Sequence, residues 1–283
     1  MTGSTSLPLG RPARVGIVGL GQVYELTIRG YRDNPDTEIV ALCDQDSQRL
    51  AQRGAEWPDA RRFTDYDAFL QEDLDVVEVL VPTPLHCDIV CAALDAGHHV
   101  NVQKPFAHSL AEADRMPAAR DAAGTYLRVM ENFIHYDPLR VLKQVVDSGE
   151  IGEPAGFPMK MVATGVGGWD ITFAPDMLMK SDYYTNDERF EVTGRKGFVR
   201  VNRCTSLGIQ QAAVEVYRDG ELRAYHALDD DWASSFDTQT REFYRFLVHG
   251  GPEAAWNGDE ARDVLAFVQA AYDSSEQNRP VRI

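Results

Sequence analysis

The chain has 283 residues, 44% apolar and 25% charged, enough for one large core or two medium domains of a globular protein. Its formal net charge is -16. Such a surface repels nucleic acid and anionic lipid and argues against both as partners, while a small substrate in a local pocket remains compatible with it.

Residues 1–13, MTGSTSLPLGRPA, lack a basic start and an apolar h-region, so they are expected to form a flexible lead rather than a signal peptide. No apolar run approaches the roughly 20 residues of a membrane span, and a cytoplasmic location is the expectation. From Arg14 to about Leu127, short β-branched runs alternate with helical runs. RVGIVG reads as a strand, followed by a helix over 22–33 with Val23, Leu26, Thr27 and Gly30 on one face. EIVALCD is a second strand and SQRLAQRGAEW a helix. DVVEVLV is a third strand, with a helix from about His86 to Ala96. HHVNVQ is a fourth. Ser109 with Glu112 makes a capping box and opens a helix that Pro117 is placed to kink. YLRVM closes the series as a fifth strand. The alternation predicts an α/β domain over 14–135 with a parallel, doubly wound sheet.

The pattern changes over 136–283. PLRVLKQVVDSGEIG is a helix closed by Gly149. FEVTGRKGFVRVN and AVEVYRDGELRAYH each fold back on a glycine turn, and Asp219-Gly220 is the stronger hairpin signal. Two helices follow, about 238–249 and 259–273. This half predicts an α+β domain with a mixed or mostly antiparallel sheet and helices on one face; its last two helices are also able to return to the first domain.

Gly19 and Gly21 fall where strand one meets helix one. There the chain must turn tightly and bring its backbone close to a phosphate, and the helix N-terminus offers N–H groups to the anion. Gly19, Gly21, Gln22 and Val23 are the candidate pyrophosphate cradle. Asp44 ends strand two, 23 positions after Gly21, about where the dinucleotide fingerprint places an acid for the ribose hydroxyls. Its carboxylate would repel a 2′-phosphate, which favours NAD over NADP. Tyr24 stands where a third glycine is usual. It should push helix one outward, or turn its ring toward solvent or ligand.

Four cysteines occur: Cys43, Cys87, Cys91 and Cys204. No second Cys or His pair sits at ligand spacing, so buried free thiols are expected and no metal site.

Three further segments, VPTPLH (81–86), ALDAGHHVNVQKPFA (93–107) and DSGEIGEP (147–154), carry a resemblance to the Gfo/Idh/MocA oxidoreductases. The closing run from Phe243 to Ile283 resembles that family's final helices and strand. The resemblance implies a Rossmann domain, and a second domain whose open sheet often joins subunits into a homo-oligomer. It also implies NAD(P)-linked redox chemistry on a sugar-, cyclitol- or polyol-like substrate. Carried over by position, Pro82, Thr83, Pro84 and His86 lie in the loop after strand three, near the cofactor. Lys104 and Pro105 match the last two residues of the family's E-K-P motif, and Gln103 replaces its glutamate. The family lysine binds the reacting hydroxyl and shares in its proton transfer.

The family's aspartate and histidine, one helical turn apart, have no counterpart. No histidine occurs between His135 and His226, and the second domain reads as shortened around 165–180. ENFIHYDP (131–138) follows strand five, where ligands collect in such sheets. Asn132, His135 and Tyr136 are candidates to face the pocket. His135 and Tyr136 are candidate acid/base substitutes, since histidine titrates near neutrality; a plain interdomain link with a solvated His135 is the alternative. Asp170, Asp176, Lys180, Tyr183 and Tyr184 form a charged and aromatic group in the altered region. An NAD-dependent dehydrogenase, an enzyme that retains its NAD without net redox, and an inactive NAD- or sugar-binding protein all remain open.

Overall fold

The computed structural model describes residues 7–163, 186–204, 210–253 and 256–282. The first half alternates as expected. In chain order it runs β1 (Ala13–Val18), α1 (Gln22–Thr27), β2 (Thr37–Cys43), α2 (Ser47–Gly54), β3 (Arg61–Phe63), α3 (Tyr66–Phe69), β4 (Val76–Val79), α4 (His86–Asp95), β5 (His99–Gln103), α5 (Leu110–Ala123) and β6 (Leu127–Met130). Six parallel strands stand in the order β3-β2-β1-β4-β5-β6. β3 is the strand that the sequence pattern left out. Its three residues are too few to show alternation. Successive residues of one strand serve opposite faces: Val77 joins a cluster with Val90, Leu94 and Met116, whereas Val76 joins one with Ile17, Ile28 and Leu80. Both faces are therefore covered, and the strands are apolar along most of their length. α5 runs unbroken through Pro117, so the expected kink does not end the helix.

The chain falls into two compact units, the second being Phe133–Ser235. The expected second domain, 136–283, is thus divided. α7 (Ser234–His249) from Phe236 onward and α8 (Gly258–Gln277) belong with the parallel sheet. The cause is apolar: Phe243, Tyr244, Leu247 and Val248 complete the cluster around Ile17 and Leu80. The lead is also tied down from residue 7 onward. Leu9 and Gly10 amides donate to Leu247 and Val248 carbonyls at 2.8 and 2.9 Å, and Arg11 grips Asp75 with two hydrogen bonds of 2.6 and 2.9 Å.

A buried polar knot joins α7 to the sheet. Glu78 accepts from the Tyr244 hydroxyl at 2.7 Å and from Asn101 Nδ2 at 2.9 and 3.0 Å. Arg128 Nη1 donates to Asn101 Oδ1 at 3.3 Å, and its guanidinium lies 5.1 Å from the Phe243 ring centre. Burial pushes the Glu78 carboxyl up and the Arg128 guanidinium down, and attraction between the two charges opposes both shifts.

The second unit holds α6 (Asp137–Asp147), β7 (Pro154–Gly156), β8 (Met159–Ala163), β9 (Asn186–Gly194), β10 (Gly197–Cys204), β11 (Val214–Arg218) and β12 (Glu221–Tyr225). These strands form an antiparallel sheet in the order β12-β11-β10-β9-β7, with β8 also paired to β9. Asp219 and Gly220 turn β11 into β12 with φ of 52° and 88°, the left-handed pair a two-residue hairpin needs. Val199, Val201, Val214 and Val216 line the covered face with Val145 of α6. The other face carries Phe198 stacked on Tyr217, and Arg200 paired with Glu191 and Glu215.

Candidate functional site

The strand order reverses direction between β1 and β4, which flank each other with β2 on the far side of β1. In such sheets ligands collect at the carboxyl ends beside that reversal. Gly19 ends β1 there. Its φ is 88°, and a Cβ on it would come within 2.8 Å of the Leu80 carbonyl group and 2.9 Å of Val81 N. Only glycine fits against the chain leaving β4. Gly21 differs: a Cβ on it would meet nothing within 4 Å. Space lies open over the first turn of α1, where amides lack intrahelical acceptors. A hollow of about 290 Å³ adjoins it, lined by Leu20, Gly21, Gln22, Asp46, Arg49 and Arg53. This arrangement fits a dinucleotide pyrophosphate. Gln22 is exposed and Val23 half-buried at the start of α1.

Asp44 is buried, and its carboxylate is already engaged. Oδ2 accepts from the Leu20 amide at 2.8 Å, so the acid fixes the glycine turn from below. Oδ1 accepts from the Asp46 amide at 2.8 Å. Arg49 Nη1 reaches both oxygens at 3.1 and 3.2 Å. Sequence reasoning missed Arg49. The available signal was its spacing: Asp46 caps α2, which brings the third helical residue back over the end of β2.

Tyr24 neither pushes outward nor faces solvent. It is fully buried, its hydroxyl accepts from Trp57 Nε1 at 2.9 Å, and the Arg53 guanidinium lies 5.3 Å from its ring centre. Burial pushes its hydroxyl up to about 12. α1 itself is short: six helical residues pass into a 3-10 turn at Ile28.

After β4, Pro82 and Pro84 are exposed and Thr83 is half-buried. His86 is buried instead. Its Nε2 lies 2.9 Å from the Val81 carbonyl and its Nδ1 3.3 Å from that of Phe106. The ring braces the loop after β4 against the loop after β5, and burial lowers its pKa. Gln103 is buried at the end of β5, and its Oε1 accepts from the Lys104 amide at 3.0 Å. Lys104 and Pro105 are exposed beyond it, joined by a cis peptide.

Asn132 is buried at the end of the first unit. His135 and Tyr136 belong to the second unit, and Lys104 to the first. Arg140 Nη2 lies 2.9 Å from His135 Nδ1. Arginine only donates, so Nδ1 is the accepting nitrogen and the proton sits on Nε2. Tyr136 is buried, donates to the Asp230 carbonyl at 3.2 Å, and has its hydroxyl pushed up by burial. Asp170, Asp176, Lys180, Tyr183 and Tyr184 lie outside the described residues. Among the described residues, no group of three or more His, Cys, Asp or Glu side chains is placed to hold a metal ion, and no helix is long and apolar enough to cross a membrane.

Residues 13–131 match the model of an oxidoreductase family with an NAD-binding Rossmann fold, Gfo/Idh/MocA. Over that stretch the chain is similar to the NAD-binding domain of the Gfo/Idh/MocA oxidoreductases. D-apiose dehydrogenase of Paraburkholderia graminis is 37% identical over 139 residues, 49% of this chain and 37% of that protein. Inositol 2-dehydrogenase of Salmonella typhimurium is 31% identical over 145 residues, 50% of this chain and 43% of that protein. The chain thus spans half or less of the length of these curated relatives. Among solved structures, an oxidoreductase from Agrobacterium radiobacter in complex with NAD+, L-tartaric acid and magnesium superposes with a TM-score of 0.76 at 19% identity. That match covers 94% of this chain and 97% of that one. The 3-ketoreductase KijD10 from Actinomadura kijaniata, in complex with TDP-benzene and NADP, gives 0.72 at 19% identity, over 92% and 97% of the two chains. These likenesses show that the fold is shared along nearly the whole chain.

Proposed function

We propose that the protein is an NAD-linked oxidoreductase acting on the alcohol or ketone of a sugar-, cyclitol- or polyol-like substrate. The observation that carries this reading is the Gly19-Leu20-Gly21 turn, held by Asp44 and open above Gly21. The named relatives, dehydrogenases of apiose and inositol, support the substrate class. A bound nicotinamide would supply the hydride donor or acceptor.

Gly19, Gly21, Gln22 and Val23 hold the pyrophosphate, and Pro82, Thr83, Pro84 and Pro105 border the ring's side of the site. His86, Gln103 and Asn132 position those loops from beneath. Asp44 serves the ribose and favours NAD. Arg49, paired with it, weakens the repulsion of a 2′-phosphate, so NADP is disfavoured but not excluded. Lys104 binds the substrate oxygen and moves its proton. His135, with Arg140 at its Nδ1, is the candidate second acid/base group. Tyr136 forms part of the substrate wall. The test is NADH absorbance with a panel of sugars, inositols and their keto forms. Normal cofactor binding without turnover of any of them would overturn the redox reading.

The lack of a histidine between His135 and His226 favours a second reading, a sugar- or NAD-binding protein without turnover. For the oligomer, Phe198, Tyr217 and Leu222 share the uncovered face of the antiparallel sheet, with Leu222 58% exposed. This supports self-association through that face, and light scattering of a Leu222→Asp variant tests it.

A further inference from the structure

The second unit contains a cavity of about 630 Å³ lined by Tyr136, Arg203, Gln211, His226, Asp230 and Trp232, with Asp231 at its wall. Its strongest cation is already spent. Arg203 Nη1 lies 2.7 Å from Glu188 Oε2, and the two side chains are only 12% and 9% exposed. The guanidinium is also laid over Trp232, 5.2 Å from the ring centre. A charge so paired and covered offers little to a second anion. Asp230 and Asp231 are exposed. One Asp231 oxygen accepts from the Ala233 amide at 3.0 Å, which leaves its other oxygen to accept elsewhere.

Among the described residues, the wall therefore combines an aromatic plane, amide and carbonyl groups, and carboxylates without free countercharge. Carboxylates and amides accept and donate to hydroxyl groups, while an indole face covers C–H surface. An added carboxylate or phosphate would meet two negative side chains. At about 4 Å, even fully water-screened repulsion of this kind weakens binding roughly fivefold per pair, and more where water is excluded.

Resting on the oxidoreductase reading above, we infer that this cavity receives the substrate and selects uncharged polyols against their carboxylated and phosphorylated counterparts. Asp230 and Asp231 exclude the anions, and Glu188 keeps Arg203 from welcoming them.

The experiment uses the full chain and matched ligand sets: a neutral pentose, a neutral hexose and an inositol, each beside a carboxylate or phosphate derivative. NADH binding is first measured by its own fluorescence. Ligand binding is then followed by tryptophan fluorescence, with Trp232→Phe as the control that assigns the signal. The expected result is saturable binding of at least one neutral ligand, and binding at least about tenfold weaker for its anionic derivative. The surface pair Asp230→Asn/Asp231→Asn should close most of that gap. Glu188→Gln, which releases Arg203, should tighten the anion further. Equal or tighter binding of the anion by the unaltered protein would overturn the inference. So would a gap unchanged in the Asp230→Asn/Asp231→Asn protein, or a Trp232 signal that no neutral polyol moves. Discrimination that persists while NADH fails to bind would sustain the cavity's selectivity and remove the oxidoreductase reading instead.

Discussion

Trp57 Nε1 donates to the Tyr24 hydroxyl at 2.9 Å. The residue standing in place of the third glycine is thereby anchored to the segment that follows α2. Tyr24 is a core residue of this domain, and restoring glycine there should harm the fold. Tyr24→Phe, which loses one hydrogen bond, should lower stability by about 1 kcal/mol. Tyr24→Gly, which empties a buried ring site, should lower it by about 3–5 kcal/mol. Urea unfolding measures both, and a gain in NAD affinity for Tyr24→Gly would contradict this account.

We expect Arg49 to tune the dinucleotide preference, because its Nη1 holds both Asp44 oxygens at 3.1 and 3.2 Å. Arg49→Ala frees the Asp44 oxygens for a ribose diol and removes the partner of a 2′-phosphate. NAD affinity should hold or rise, and NADP affinity should fall by about tenfold, the effect of one charge-assisted contact. Fluorescence titration with NADH and NADPH gives the ratio directly.

Lys104 is exposed at the end of β5, outside the hydrogen bonds that shape the turn except through its amide. Lys104→Met should therefore fold normally and bind NADH normally. Its turnover should fall by about 10²–10⁴-fold, the usual contribution of a positioned acid or base. A variant with near-normal kcat would remove Lys104 from the proton transfer.

Burial pushes the Cys43 thiol up to about 12 and the Cys87 thiol to about 11. The native thiols keep their protons where those of the unfolded chain, near pH 9, lose theirs. Stability should then fall as pH rises from about 8.5 toward 11, by about 1.4 kcal/mol per unit for each thiol. Denaturant midpoints at pH 8 and 10 test the sign, and thiol reagents at pH 8 should spare Cys43 and Cys87 until the chain unfolds.

Arg128→Met leaves Glu78 buried without its cation. The expected loss is about 3–5 kcal/mol, partly recovered when Glu78→Gln is added. Thermal unfolding of the single and double variants measures the coupling.

The parallel sheet was legible because its strands are buried on both faces and read as unbroken apolar runs, as in VVEV of β4. The glycine turn was legible because backbone geometry dictates residue type at Gly19. The return of α7 was not fixed by pattern. Its apolar stripe says that Phe243 and Leu247 are covered, and does not say by which domain. The engagement of Asp44 was hidden for a related reason: a sequence shows an acid at the right spacing but not the donors that reach it first. His86 illustrates the same limit. The motif located its loop, while burial decided that the ring braces carbonyls rather than facing outward.

The division at Asn132 and Phe236 makes the second unit an insert within the chain of the first. A fragment cut after residue 135 would therefore not be a self-sufficient nucleotide-binding module. It would lose Tyr244, the hydroxyl donor to Glu78, and would bare the apolar floor on which Phe243 and Leu247 rest. Ribosomal synthesis meets the same constraint: the parallel sheet cannot finish burying itself until the last helices have emerged, long after its own strands have been made.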